Sequence, residues 1–158
     1  MQTQVMFYLL PDKDKADASD INASSTLYHA CLQASYFYRQ NQRVFIYTQD
    51  QKSAEQIDEM LWAFDSDSFV PHNLSGEGPK QGAAVEISHK APRGRRPVLI
   101  NLTSTVPDFA NNFQFMVDFV SSDESLKQLA RERFKACRQR GFQVNNQAVS
   151  IPVASENT

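Results

Sequence analysis

Lys127, Arg131, Phe134, Lys135 and Arg138 are spaced so that one helix would gather four cations around an aromatic ring. At about 100° per residue the five positions fall within an arc of roughly 100°. Glu132 points about 100° away from Arg131, so the (i, i+4) acid that would neutralise such a stripe is missing. The surrounding stretch, Ser121 to Gly141, carries its own boundaries. Ser121 with Glu124 three residues on fits a capping box, Asp123 and Glu124 suit the positive helix start, and Gly141 suits a left-handed stop. Leu126, Leu129, Ala130, Ala136 and Cys137 cluster on the opposite side as a packing face, which leaves Phe134 as an exposed aromatic. Guanidinium forks and ammonium point charges on an unneutralised stripe suit a docking surface for an acidic partner. A solvated basic face is the plainer alternative.

A second constellation runs Trp62-Ala-Phe64-Asp-Ser-Asp-Ser-Phe69-Val-Pro71-His72-Asn-Leu74, a helix end followed by a proline-containing loop. One aromatic there would be a core anchor. Three, together with Val70 and Leu74, are hard to bury at once, so a partner-binding patch is expected.

Catalytic chemistry finds little support. The chain has five glycines, and Gly76-Glu-Gly78-Pro-Lys-Gln-Gly82 contains a GxG but not GxGxxG, includes Pro79 and precedes a strand rather than a helix. It is not a dinucleotide loop, and no GxxxxGK[ST] occurs. His29, His72 and His89 show no metal-ligand spacing, and neither cysteine lies in a CxxC pair or a recognisable nucleophile setting. Asp58, Glu59, Asp65 and Asp67 read as solubilising acids. No catalytic, cofactor or metal site is therefore expected. Cys31 and Cys137 read as small buried hydrophobes.

The elements that must position these residues follow from apolar patterning. Strands are expected at Val5 to Leu10, Val44 to Thr48, Ala83 to Ile87, Val98 to Leu102 and Phe115 to Val120; helices at about Ser24 to Gln40, Gln51 to Phe64 and Ser122 to Arg140, with Asp50 capping the second. The β, α, β, α opening and dense apolar strands predict a single-domain, Rossmann-like three-layer α/β fold with a mixed, mostly parallel sheet and no nucleotide-binding loop. The domain is expected over residues 1–142, with 143–158 as a loosely attached, mobile C-terminal tail. Lys90 to Arg96 reads as a basic surface loop.

At 158 residues and 41% hydrophobic, the chain can bury one core. No apolar run approaches the ~20 residues of a membrane span, and the N-terminus lacks signal-peptide features, so a cytoplasmic protein is expected. A net charge of −2 argues against coating nucleic acid by bulk charge.

Together the segments resemble the chi subunit family of bacterial DNA polymerase III. The resemblance rests on Phe7-Tyr-Leu-Leu10, Gln42-Arg-Val44, Asp58-Glu-Met-Leu-Trp62, the run Ser68 to Pro79, Pro97-Val-Leu-Ile100, Val117-Asp-Phe-Val120, Ser125 to Ala136 and Gly141-Phe142. The loops Asp12 to Asp20 and Lys90 to Arg96 and the chain after Phe142 depart from the pattern. The resemblance implies a non-catalytic clamp-loader accessory subunit in DNA replication. It implies a site for the acidic C-terminal tail of single-stranded DNA-binding protein at Lys127, Arg131, Phe134, Lys135 and Arg138. It implies a psi-binding site at Trp62 and Phe69 with Pro71 and His72 shaping the loop, a face that an iron-sulfur helicase could also use. Family members often carry Tyr where this chain has Phe134. Single-stranded DNA would then be reached only indirectly. The competing expectations are a small α/β enzyme, or a direct single-stranded nucleic-acid binder stacking bases on Phe134.

Overall fold

The computed structural model describes residues 2–11, 25–64, 70–76 and 83–149. In chain order the elements are β1 Gln4–Leu9, α1 Thr26–Arg39, β2 Val44–Tyr47, α2 Gln51–Phe64, β3 His72–Leu74, β4 Val85–Ser88, β5 Val98–Asn101, a 3-10 turn Ala110–Asn112, β6 Phe115–Val120, α3 Glu124–Gln139 and β7 Gln143–Ala148. The strands form one seven-stranded sheet in the order β3-β4-β2-β5-β6-β1-β7. Each pairing among the described strands is parallel. The α/β class and mostly parallel sheet thus hold, and no antiparallel component occurs among the described strands.

Central strands of a parallel sheet are covered on both faces, which explains their continuous apolar runs. β2 and β5 are almost wholly buried, and their period-two alternation sends side chains to opposite layers. Val44, Ile46, Val98, Ile100 and Val117 join the layer under α1 and α2, with Ala30, Ala34, Ile57 and Leu61. Phe45, Leu99 and Met116 face the other way, with Val5, Phe7, Phe113, Cys137 and Phe142 under α3. Burial pushes both the Cys31 and Cys137 thiols up to about 12.

Helix starts are set by side-chain caps. Ser25 accepts from the Tyr28 amide at 3.3 Å, and Asp50 accepts from the Ser53 amide at 2.8 Å, as expected for the second helix. That bond holds the Asp50 carboxyl below its ordinary range. The third helix begins differently from the expected capping box: Asp123 caps it through the Leu126 amide at 3.1 Å, while Ser121 Oγ accepts from the Asp123 amide. Gly141 does stop it, at φ +81°.

Two strands were not legible in the sequence. β3 is three residues long and begins at His72, where a loop was expected. β7 lies in the segment expected as a tail; it pairs with β1 from Gln4–Gln143 to Leu9–Ala148, so residues 143–148 belong to the sheet. Residues 150–158 of that segment lie outside the described residues, as do Ser24, the Asp12 to Asp20 loop, Phe69, Gly78 and Gly82.

The loop Lys90 to Arg96 also needs correction as a purely surface feature. Arg96 is buried, donates to the carbonyls of Val44, Ala83 and Ala84, and pairs with Glu86 at 3.1 Å. Desolvation pulls its guanidinium below the usual range, with Glu86 opposing.

Candidate functional site

The carboxyl ends of β1 and β6 and the first half of α3 enclose a groove of about 500 Å³. Its floor is Phe7, Leu10, Val120, Ala130 and Phe134, with Lys127, Arg131, Ser121, Ser122 and Asn146 also on its walls. Phe134 is half-buried, its ring centroid 5.3 Å from that of Phe7. It is therefore groove floor rather than the fully exposed aromatic that helix periodicity suggested.

The structure brings Lys127, Arg131 and Phe134 together at this groove. Lys135 and Arg138 are exposed on the same stripe but do not line it. Lys127 pairs with Glu124 at 3.7 Å, an (i, i+3) partner that an (i, i+4) search overlooks, and Arg131 hydrogen-bonds Gln128 at 3.3 Å. Among the described residues no carboxylate pairs with Arg131, Lys135 or Arg138.

The inner side of α3 also departs from the periodicity argument. Leu126 and Leu129, expected to pack, are 51% and 37% exposed, while Arg133 is buried. Arg133 makes a two-pronged contact with Asp118 of β6, Nε to Oδ2 at 2.9 Å and Nη2 to Oδ1 at 3.0 Å, and also donates to the carbonyls of Phe119 and Ser104. Burial pushes the Asp118 carboxyl above its ordinary range; Arg133, the Phe119 amide and Asn101 pull the other way. Two signals could have revealed the pair. Asp118 is the single acid in an apolar strand, and Arg133 shares the spacing of Ala130 and Cys137. An acid in such a strand needs a cation to accompany it into the core.

At the other end of the sheet, Trp62 is 62% exposed on the last turn of α2. This removes the core-anchor reading for Trp62. His72 lies beneath it, buried, with ring centroids 4.9 Å apart in an edge-on arrangement. His72 Nδ1 sits 2.7 Å from the Val70 carbonyl, and Nε2 lies 3.5 Å from Asp58 Oδ1. Pro71 is half-buried, and Val70 belongs to the core. Phe69, the expected companion of Trp62, lies outside the described residues.

Among the described residues no cluster of His, Cys, Asp or Glu could hold a metal ion, and no helix is long and apolar enough to cross a membrane. The described residues thus form an α/β sandwich with a cation-rimmed apolar groove and an exposed tryptophan. Comparison with known proteins makes the class specific. The family model described as "DNA polymerase III chi subunit, HolC" matches residues 1–145. The chain is 47% identical over 141 residues to DNA polymerase III subunit chi of Escherichia coli (strain K12), covering 88% of this chain and 93% of that one. It is 36% identical over 151 residues to subunit chi of Haemophilus influenzae, covering 94% and 99%. With subunit chi of Pseudomonas aeruginosa it shares 31% over 140 residues, covering 89% and 92%. The chain belongs to the DNA polymerase III chi subunit family and is a replication accessory subunit of that polymerase. The crystal structure of T4 UvsW superimposes with a TM-score of 0.60 at 9% identity, over 94% of this chain and 41% of that one, a likeness of fold alone.

Proposed function

We propose that this subunit bridges two partners in the clamp-loader assembly: the acidic C-terminal tail of single-stranded DNA-binding protein in the α3 groove, and the psi subunit through Trp62 and Phe69. The observation that carries this reading is the groove itself, where Lys127 and Arg131 border an apolar floor made by Phe7, Leu10 and Phe134. A peptide with carboxylates and a terminal apolar side chain needs both features, cations for the acids and a dry floor for the side chain. Lys135 and Arg138 extend the positive field toward more distant acids of the tail.

The Trp62 face suits the second partner because a large exposed aromatic is the kind of side chain that anchors an interface. His72 packs edge-on beneath the ring, Pro71 would shape the loop with it, and an iron-sulfur helicase that used the same face would compete with psi. The subunit would act in the cytoplasm at the replication fork. The competing view, that α3 itself stacks bare single strands on Phe134, is disfavoured by the packing of that ring against Phe7. An enzyme would need a polar constellation at a cleft, and the α3 groove is mainly apolar on its floor.

Calorimetric titration with a peptide matching the acidic tail tests the groove. Wild type should bind, while Arg131→Ala and Phe134→Ala should bind more weakly; equal affinity for all three would refute the assignment.

A further inference from the structure

The edge of the sheet at the amino ends of the strands, remote from the α3 groove, carries a second surface of distinct chemistry. Three rings run across it: Tyr36 to Phe37 at 5.2 Å between centroids, and Phe37 to Phe115 at 6.4 Å. The outer two are open to solvent, Tyr36 at 56% and Phe115 at 36%. Arg39 lies one turn beyond Tyr36 and is exposed. Arg95 is exposed on the other flank, where it lines a hollow of about 230 Å³ with Asn111, Asn112 and Gln114. Backbone bonds hold this flank against Phe115, since the Gln114 and Phe115 amides both donate to the Pro97 carbonyl at 3.0 Å.

Segments 36–43 and 93–97 contain arginines, and neither they nor 111–115, which meets them at this edge, contains Asp or Glu, in a chain whose net charge is −2. Arg96 is turned inward to Glu86, but no carboxylate pairs with Arg39, Arg93 or Arg95 among the described residues.

We propose that this edge is a docking track for single-stranded DNA, with bases stacking on Tyr36 and Phe115 and phosphates meeting Arg39 and Arg95. Flat, solvent-facing rings flanked by arginines match the alternation of base and phosphate along a strand. The amides of Asn111, Asn112 and Gln114 both donate and accept, which suits base edges better than the carboxylates of an acidic peptide. An acidic tail, by contrast, would find no apolar hole here for its side chain. The track goes beyond the bridging role and does not depend on it. Where the subunit is held close to a strand by another partner, high effective concentration makes a weak track sufficient.

Fluorescence anisotropy of a labelled oligothymidylate at low salt tests this with the full chain. Wild type should bind saturably and lose affinity as salt rises. Tyr36→Leu, which keeps apolar bulk but removes the stacking face, should weaken binding at least about fivefold, while Tyr36→Phe should stay close to wild type. Combined Arg39→Ala and Arg95→Ala should weaken binding and flatten the salt dependence by about 0.7 in logarithmic slope for each phosphate no longer neutralised. Arg131→Ala should leave oligonucleotide affinity unchanged. The proposal is overturned if wild type shows no saturable binding, if Tyr36→Leu and the arginine pair leave affinity intact, or if Arg131→Ala abolishes it. It is also overturned if Tyr36→Leu weakens psi capture while oligonucleotide affinity is untouched, which would make this a protein interface.

Discussion

Arg131 and Arg133 stand two residues apart on α3, on the same scaffold and with the same chemistry, and the fold gives them opposite tasks. Arg131 faces the groove, exposed, with Gln128 as a hydrogen-bond partner. Arg133 is enclosed, with Asp118 in a two-pronged grip and two backbone carbonyls beyond it. A cation in water keeps its hydration and remains available to a ligand, whereas a cation in the core is worth having only while its partner is present. The inner arginine therefore fixes the rotation of α3 against β6. The outer one is then presented on the groove wall with Lys127 and Phe134.

The largest effect should come from breaking the inner pair. Arg133→Ala leaves Asp118 buried without its cation and should destabilise the fold by about 3–5 kcal/mol, read as a lower denaturant midpoint. If Arg133→Ala and Arg131→Ala destabilise equally, the contrast between the two faces fails. A smaller effect, about 2 kcal/mol on binding, is expected at the other end of the sheet. There Trp62→Ala should weaken psi binding while thermal unfolding and acidic-peptide binding stay close to wild type, because the ring is exposed. Unfolding of that variant would show that the ring belongs to the core.

Asp123→Ala removes the cap of α3 and should cost about 1 kcal/mol of stability, measurable by thermal denaturation. The corresponding Ser121→Ala change should cost less, since among the described residues the Ser121 hydroxyl bonds only the Asp123 amide. The smallest stability change should be that of Arg131→Ala or Lys135→Ala, within about 0.5 kcal/mol. Peptide affinity should nevertheless fall, and added salt should weaken wild type more than Arg131→Ala, because the variant has less charge attraction to screen. Two-salt calorimetry reads both quantities.

A pH test sharpens the same division between inside and outside. Cys31 and Cys137 are enclosed, and their thiols are raised to about 12 in the folded chain. A group whose folded pKa is raised adds stability that is complete below its unfolded value, about 8.5 for a thiol, and falls as pH climbs toward the folded value. Native protein should resist alkylation at pH 8 and react once denatured, and its stability should decline through the alkaline range. Rapid labelling of native protein at pH 8 would contradict the enclosure of both thiols.

Local patterning alone determined a good deal of this protein. Dense apolar runs specify β2, β5 and β6, Asp50 caps α2, Gly141 ends α3, and the basic stripe is written in the spacing of Lys127, Arg131, Lys135 and Arg138. Tertiary structure decided what periodicity cannot see. β7, rich in Asn and Gln, is a strand because β1 offers it an open edge, and a solvent-facing edge strand needs no apolar pattern of its own. Phe134 became groove floor because Phe7, more than a hundred residues earlier in the chain, lies under α3, and Leu10 lines the same groove. Leu126 and Leu129 stayed exposed, and Arg133 went inside, because Asp118 supplies a buried charge that only an arginine on that side of the helix could match. A helical wheel ranks residues by their own polarity; burial is settled by what stands opposite them, and that information lies elsewhere in the chain.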